Sequence, residues 1–330
     1  MYNNRLEILN LELTTQCPLR CPQCYCTLNT GKHLDCTVAL HWIDEAAKIG
    51  VQMINLSGGE TMCYPHLYEI IEYANSKGIK CNVALSGYRF DQEAYGKLVK
   101  AGVDGIYVSL NGSTEAVNQK SRNGYHLAIS ALSLLKEANF KNTTINWVMQ
   151  SSNADDFEEM IRLAEEYKVS SLVVIGLKPD SENDLSKRPT LEQMLAVSNI
   201  IRKYRGSVKV CVESCYSPML ALVGQSFLLG NRNVGPDKGC LAGLCAASVN
   251  VDGLLSPCRH LYQFEKWDSL EAYWNESPIL NKIRSLDDAR REPCVSCKFN
   301  PYCRHCLAIN SNVEGELFIG DKSCPLSQLP

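Results

Sequence analysis

Thr15-Gln16-Cys17-Pro18-Leu19-Arg20-Cys21-Pro22-Gln23-Cys24-Tyr25 gathers three cysteines into one short loop with the spacing C-x3-C-x2-C. A cubane iron–sulfur cluster is commonly held by one protein thiolate on each of its irons. Three thiolates from one loop satisfy all but one iron, which stays open to chelate a substrate or cofactor. Zinc is the competing metal, and it requires a further ligand close by. Buried thiols are the blander alternative. The sequence around the loop separates these readings.

Outward from the loop, short apolar runs alternate with amphipathic stretches. Leu6 to Leu13, Gln52 to Leu56, Lys80 to Leu85, Gly105 to Leu110, Thr143 to Met149 and Ser171 to Ile175 read as strands. Thr37 to Ile49, Pro65 to Lys77, Gln92 to Ala101, Tyr125 to Ala138 and Asp155 to Tyr167 read as helices between them. This alternation predicts an α/β fold, a partial (β/α)6 TIM-like barrel over residues 1–177. The runs are apolar enough for parallel strands covered on both faces. In such barrels the loops after the carboxyl ends of strands build the site. The three-cysteine loop follows the first strand, and Ser57-Gly58-Gly59-Glu60 follows the second. Paired glycines let a ligand approach the backbone.

Residues 178–239 read as a bridging region. Its polar start, Lys178 to Arg188 with Pro179, Asp180, Ser181 and Asn183, is a loop. A sixth helix, Leu191 to Tyr204, follows the capping box of Thr190 and Gln193. Residues 240–330 read as a small cysteine-rich domain. Ser248 to Leu255 is a β-hairpin in which Asp252-Gly253 supplies the positive φ angles of a tight turn. Ser269 to Ile283 is helical, and from Glu292 onward the chain is cysteine-dense loop. Metal rather than apolar core is expected to hold such a segment.

Charged residues make up 21% of the chain and hydrophobic ones 45%, with a formal net charge of -3. That balance is ordinary for a globular protein and favours neither a nucleic-acid nor an anionic-membrane partner. There is no signal peptide, and no apolar run nears the roughly 20 residues of a membrane helix. A cytoplasmic location is expected. Seventeen cysteines in such a compartment read as metal ligands rather than a disulfide framework. They fall into two groups, separated by a cysteine-free body from Asn82 to Val210.

The first loop and Gly58-Gly59-Glu60 resemble the radical S-adenosylmethionine (radical SAM) family. The resemblance implies a [4Fe-4S] cluster on Cys17, Cys21 and Cys24, with SAM on the open iron. Gly58, Gly59 and Glu60 would then bond the SAM amino group. Ser86 and Ser109 would reach its ribose and carboxylate, Arg122 would pair with the carboxylate, and Asn146 and Val148 would line the adenine. One departure is Gln23, where the family commonly has an aromatic residue.

The C-terminal cysteines run Cys240, Gly253-x4-Cys258, Cys294-x2-Cys297-x5-Cys303-x2-Cys306 and Cys324. They resemble the SPASM domain, which carries auxiliary clusters in radical SAM enzymes that modify peptides. Trp274 to Leu280, with Arg284, resembles the helix joining its halves. The last spacer is one residue shorter than the family's. By this resemblance Cys240, Cys245, Cys258 and Cys306 hold one auxiliary cluster. Cys294, Cys297, Cys303 and Cys324 hold another, giving three [4Fe-4S] clusters in all. A pair of zinc-ribbon sites is the competing reading. Of the leftover thiols, Cys36 and Cys81 read as small buried hydrophobes. Cys26 and Cys63 read as facing the cavity. Cys211 and Cys215 are candidate catalytic thiols, as hydrogen donors or substrate-facing groups, or an extra ligand.

The resemblance implies a maturase that cleaves SAM to a 5′-deoxyadenosyl radical. That radical abstracts hydrogen from a ribosomally made peptide and so installs a thioether or carbon–carbon crosslink. Alternatives are a peptide epimerase using a cysteine hydrogen donor, a sulfatase-maturase-like oxidase, a radical SAM enzyme for a small molecule, and a non-catalytic metal-binding module. Arg259 stands where sulfatase maturases carry an aspartate base. Implied partners are a peptide with a leader, a separate peptide-recognition protein, and an electron donor such as flavodoxin or ferredoxin.

Overall fold

A computed structural model describes residues 5–26, 30–178, 182–228, 239–286 and 290–329. The expected α/β barrel core is present. Its parallel strands are β1 (Ile8–Glu12), β2 (Met53–Ser57), β3 (Lys80–Leu85), β4 (Gly105–Ser109), β5 (Thr143–Met149), β6 (Ser171–Gly176) and β7 (Lys209–Val212). Helices α1 (Cys36–Lys48), α2 (Leu67–Ser76), α3 (Gln92–Ala101), the short α4 (Glu115–Asn118), α5 (Tyr125–Glu137), α6 (Phe157–Glu166) and α7 (Leu191–Lys203) connect them. Local signals set these bounds. Asp35 caps α1 by accepting the Thr37 and Val38 amides. Gly102, at φ +88°, ends α3 in a left-handed turn. The capping box of Thr190 and Gln193 starts α7 as expected.

One face of each strand packs under the helices. Leu9, Leu11, Ile54, Leu56, Val83, Ile106, Val108, Ile145, Trp147, Leu172 and Val174 are fully buried there. The other face is partly polar, contrary to the all-apolar expectation. Asn82 donates to Asn55 at 3.0 Å, Asn55 to Asn10 at 3.2 Å, and Asn10 to the Ala247 carbonyl at 3.0 Å. This amide ladder crosses the barrel interior and lines a cavity of about 440 Å³. These bonds satisfy most of the amide groups, while the buried Asn82 Oδ1 has no partner among the described residues.

The sheet is larger than the sequence suggests. Its order is β7-β6-β5-β4-β3-β2-β1-β8-β9. The expected hairpin forms β8 (Ala246–Val249) and β9 (Leu255–Ser256), and β8 pairs parallel with β1. The single sheet therefore carries the chain from the barrel into the cysteine-rich segment. The turn also differs in detail. Gly253 takes positive φ but Asp252 does not. The Asn250 side chain instead accepts the amides of Asp252 and Leu254, an Asx turn that shapes a longer loop.

Downstream, α8 (Ser217–Val223) precedes the hairpin, and α9 (Leu270–Glu276) and α10 (Pro278–Arg284) follow it. The helix expected over Ser269 to Ile283 is thus broken. Pro278 has no amide to continue α9, and Ser277 instead caps α10 through the Leu280 amide. In the bridging region Glu182–Lys187 forms a short 3-10 turn. Pro179, Asp180 and Ser181 lie outside the described residues.

Candidate active site

The three-cysteine loop sits on the glycine run. The Gly59 amide donates to the Thr14 carbonyl at 2.6 Å, and the Glu60 amide to the Gln16 carbonyl at 2.8 Å. A Cβ on Gly58 would meet the Thr14 oxygen at 2.4 Å, and one on Gly59 the Gln16 oxygen at 2.5 Å. Only glycine fits this close approach. The far side of the loop is pinned by Gln23. Its side-chain carbonyl accepts from Asn111 at 2.8 Å and from Gln150. A polar anchor thus occupies the position where the family commonly has an aromatic ring.

Cys17, Cys21 and Cys24 face one cavity together with Gly58, Gly59, Glu60, Ser86, Ser109, Arg122, Asn146 and Val148. Every sequence-derived candidate for the SAM site therefore lines the same space. Burial pushes the Cys17 thiol up to about 11, with the other two thiols adding to the effect. The Asn123 amide donates to the Cys21 sulfur at 3.4 Å, a bond suited to a thiolate ligand. Arg122 carries a buried Nε with no partner among the described residues. An unpaired guanidinium nitrogen in a cavity is suited to an anionic group. Three convergent thiols and an unpaired guanidinium nitrogen fit a cluster with a carboxylate-bearing ligand.

Glu60 and Ser86, besides lining this cavity, are bonded to each other. Burial raises the Glu60 carboxyl, while Ser86 and Arg122 oppose that shift. One Glu60 oxygen accepts both the Ser86 hydroxyl and the Ser86 amide, the latter at 2.9 Å. The other accepts the Met62 amide at 3.2 Å. Glu60 thus braces the end of β3 against the glycine run, and the Ser86 hydroxyl is already engaged.

Further lining residues complete the cavity. They are Tyr25, which follows Cys24 in the loop, and Lys178, Glu213, Arg259 and His260 from later in the chain. The Tyr25 and His260 rings lie 4.1 Å apart. Arg259 interacts with Tyr25 and Glu12. Burial lifts the Glu12 carboxyl to about 6, against the pull of Arg259. His260 is held neutral by burial, helped by Lys178 and Arg259. Lys178 forms an ion pair with Glu213, its side chain 7% exposed. Lys178 was legible as a residue just past β6. Glu213 was not, because the strand before it went unrecognised.

The C-terminal cysteines gather in two places. Cys303 lies among Cys324, Cys294 and Cys297, the second set named from the sequence. Cys240 lies beside Cys306 and Cys258. Cys245, expected to join them, is buried at the start of β8 with Glu7 as its charged neighbour. The Cys215 thiol instead hydrogen-bonds Cys306, which raises Cys215 and lowers Cys306. Cys211 is buried within β7. Of the remaining thiols, Cys26 lines the cavity and donates to the Gly58 carbonyl at 3.4 Å. Cys81 is fully buried. Cys36 is half-buried and close to His66 and Glu69.

Residues 11–164 match the Radical SAM superfamily. This core is a radical SAM domain. Along nearly the whole chain there is likeness to an AdoMet-dependent heme synthase of Methanosarcina barkeri, 23% identical over 92% of both proteins. A PqqA peptide cyclase of Ruegeria pomeroyi is 27% identical, over 87% of this chain and 78% of its own length. Among solved structures, Streptococcus suis SuiB bound to precursor peptide SuiA matches with a TM-score of 0.76 at 17% identity. That match covers 98% of this chain and 76% of SuiB, so the shared fold includes the cysteine-rich segment.

Proposed function

We propose that this chain is a radical SAM peptide maturase that installs a crosslink in a ribosomally made peptide. The observation that carries the reading is the shared cavity. Cys17, Cys21 and Cys24 line it together with Arg259 and His260 of the cysteine-rich segment. A substrate between them is held by both segments. The named peptide substrates of the cyclase and of SuiB support the same reading.

Cys17, Cys21 and Cys24 would hold the SAM-binding [4Fe-4S] cluster. Bound together, cluster and SAM would supply a 5′-deoxyadenosyl radical able to take hydrogen from an unactivated C–H bond. The protein's part is placement. The Gly58-Gly59 run, with no side chains, lets the amino acid end of SAM approach the backbone, and the free Arg122 Nε meets the carboxylate. Ser109, Asn146 and Val148 bound the nucleoside end. Tyr25, Arg259 and His260 face the substrate and exclude water. The C-terminal cysteines would hold two auxiliary clusters that carry away the second electron of the oxidation. A flavodoxin- or ferredoxin-like donor would supply the electron, and leader recognition would come either from a separate peptide-recognition protein or from the barrel mouth and the cysteine-rich segment themselves.

The test is incubation of the anaerobically purified enzyme with SAM, reductant and the precursor peptide encoded beside its gene. The product is read by mass spectrometry. Loss of a pair of hydrogen atoms at a new crosslink is expected, and none is expected with Cys17→Ala. An unchanged mass, with deuterium gained at one α-carbon in heavy water, would establish the epimerase instead. Turnover of a small molecule with the peptide untouched would favour the class of the heme synthase relative.

A further inference from the structure

Cys215 lies in the turn between β7 and α8, outside the cysteine pattern of the C-terminal segment. The backbone nevertheless delivers it to that segment. The Ser217 hydroxyl donates to the Arg304 carbonyl at 2.6 Å, and the Cys240 amide reaches the same oxygen at 3.4 Å. Gly239 bridges Arg304 in parallel register. A Cβ on Gly239 would meet the Ser217 Oγ at 2.2 Å and the Ser214 oxygen at 3.0 Å. The chain around Cys215, Cys240 and Cys306 is thus packed at backbone contact. Cys215 shares the wall of the barrel cavity with Cys240 and Cys258, and the wall of the adjoining cavity with Cys306.

Cys245 has different surroundings. Its carbonyl accepts the Glu7 and Ile8 amides at 2.9 and 3.0 Å, tying it to the start of β1. It lines neither cavity.

We propose that Cys215, rather than Cys245, supplies the fourth thiolate of the auxiliary cluster held by Cys240, Cys258 and Cys306. The inference rests on the auxiliary-cluster part of the proposed function. It assigns Cys215 a ligand's role in place of a hydrogen donor's. A four-thiolate cubane carries net negative charge, and the buried Lys178 ammonium lies beside Cys215 and Cys306 to face it. Cys245 is a packing thiol at the start of β8.

The test uses full-length, anaerobically reconstituted protein carrying Cys17→Ala, Cys21→Ala and Cys24→Ala, so that only C-terminal clusters contribute. This parent is expected to hold about eight irons per chain. A parent without iron would overturn the auxiliary clusters and the inference with them. Added Cys245→Ala is expected to leave iron, sulfide and the EPR spectrum of the reduced protein unchanged. Added Cys215→Ala is expected to lose up to about four irons or to turn one cluster into a site-differentiated species. Added Cys215→Ser guards against a folding defect, since an oxygen ligand keeps the cluster while shifting its EPR signal. Iron loss in the Cys245 variant, or an unshifted spectrum in the Cys215→Ser variant, would overturn the assignment.

Discussion

The carboxylate of Glu45, on α1, accepts the backbone amide of Leu270, the first residue of α9, at 2.9 Å. A barrel helix thereby caps a helix of the cysteine-rich segment. The second Glu45 oxygen holds Lys48. Burial works to raise this carboxyl, but Lys48 and the Leu270 amide leave it below the ordinary 4.5.

Glu45→Ala is therefore expected to cost about 1–2 kcal/mol, read by thermal or urea unfolding. The pH dependence follows from the sign of the shift. A lowered carboxyl contributes stability that is complete above its unfolded value and is lost as pH falls through the folded one. The gap between wild type and Glu45→Gln should be full at neutral pH and should narrow below about pH 4.5. A gap independent of pH would contradict the charge-based role.

Gly59→Ala tests the seat of the cysteine loop. The added methyl meets the Gln16 carbonyl, so the loop must move. Loss of about four irons per chain and of SAM binding is expected, with the C-terminal iron retained. Full iron content would show that the loop tolerates displacement.

Arg122→Gln removes the guanidinium whose Nε is left without a partner in the cavity. A charge-assisted hydrogen bond contributes about 1.5–3 kcal/mol, so SAM should bind roughly 10- to 100-fold more weakly. Equilibrium binding of SAM to the reconstituted protein checks this. Unchanged affinity would place the carboxylate elsewhere.

Cys294→Ala or Cys324→Ala should each remove about four irons per chain and make the C-terminal segment sensitive to protease, because metal binding there is folding free energy. Unchanged iron and protease resistance would show that these thiols are not ligands.

Arg188 and Asp321 form a two-pronged ion pair at 3.1 and 2.9 Å, with side chains 9% and 7% exposed. Asp321→Asn strands a buried guanidinium and should cost about 3–5 kcal/mol. Pairing Arg188→Met with Asp321→Leu should recover part of that loss, since neither charge is left buried alone. Calorimetry on the loaded protein distinguishes the two. A double variant as unstable as the single one would argue against the uncompensated charge.

Most of the barrel could be read from the chain because its signals are local. The strands from β1 to β6 are apolar runs followed by amphipathic helices, and both motifs lie at strand ends. What was missed depends on contacts between distant segments. β7 is four residues long with an exposed Lys209 at its start, and only its pairing with β6 makes it a strand. The Cys215–Cys306 contact joins segments that spacing cannot relate. The engagement of Ser86 with Glu60 shows the same limit, since a hydroxyl at a strand end does not announce its partner. The break at Ser277-Pro278 was different. Its signal was local, and proline after a capping serine is sufficient to read it.

The pairing of β8 with β1 bears on how the protein is made. Ile8 lies opposite Ala246, so the outer edge of the first strand has no partner until most of the chain has left the ribosome. Contacts of that sequence separation form late and slowly. Until then an open apolar edge stands next to the loop of Cys17, Cys21 and Cys24, a state prone to association. The three-cysteine loop and the strand that waits for β8 thus belong to one stretch of chain, so the segment that would take up iron is also one whose sheet pairing awaits the cysteine-rich segment.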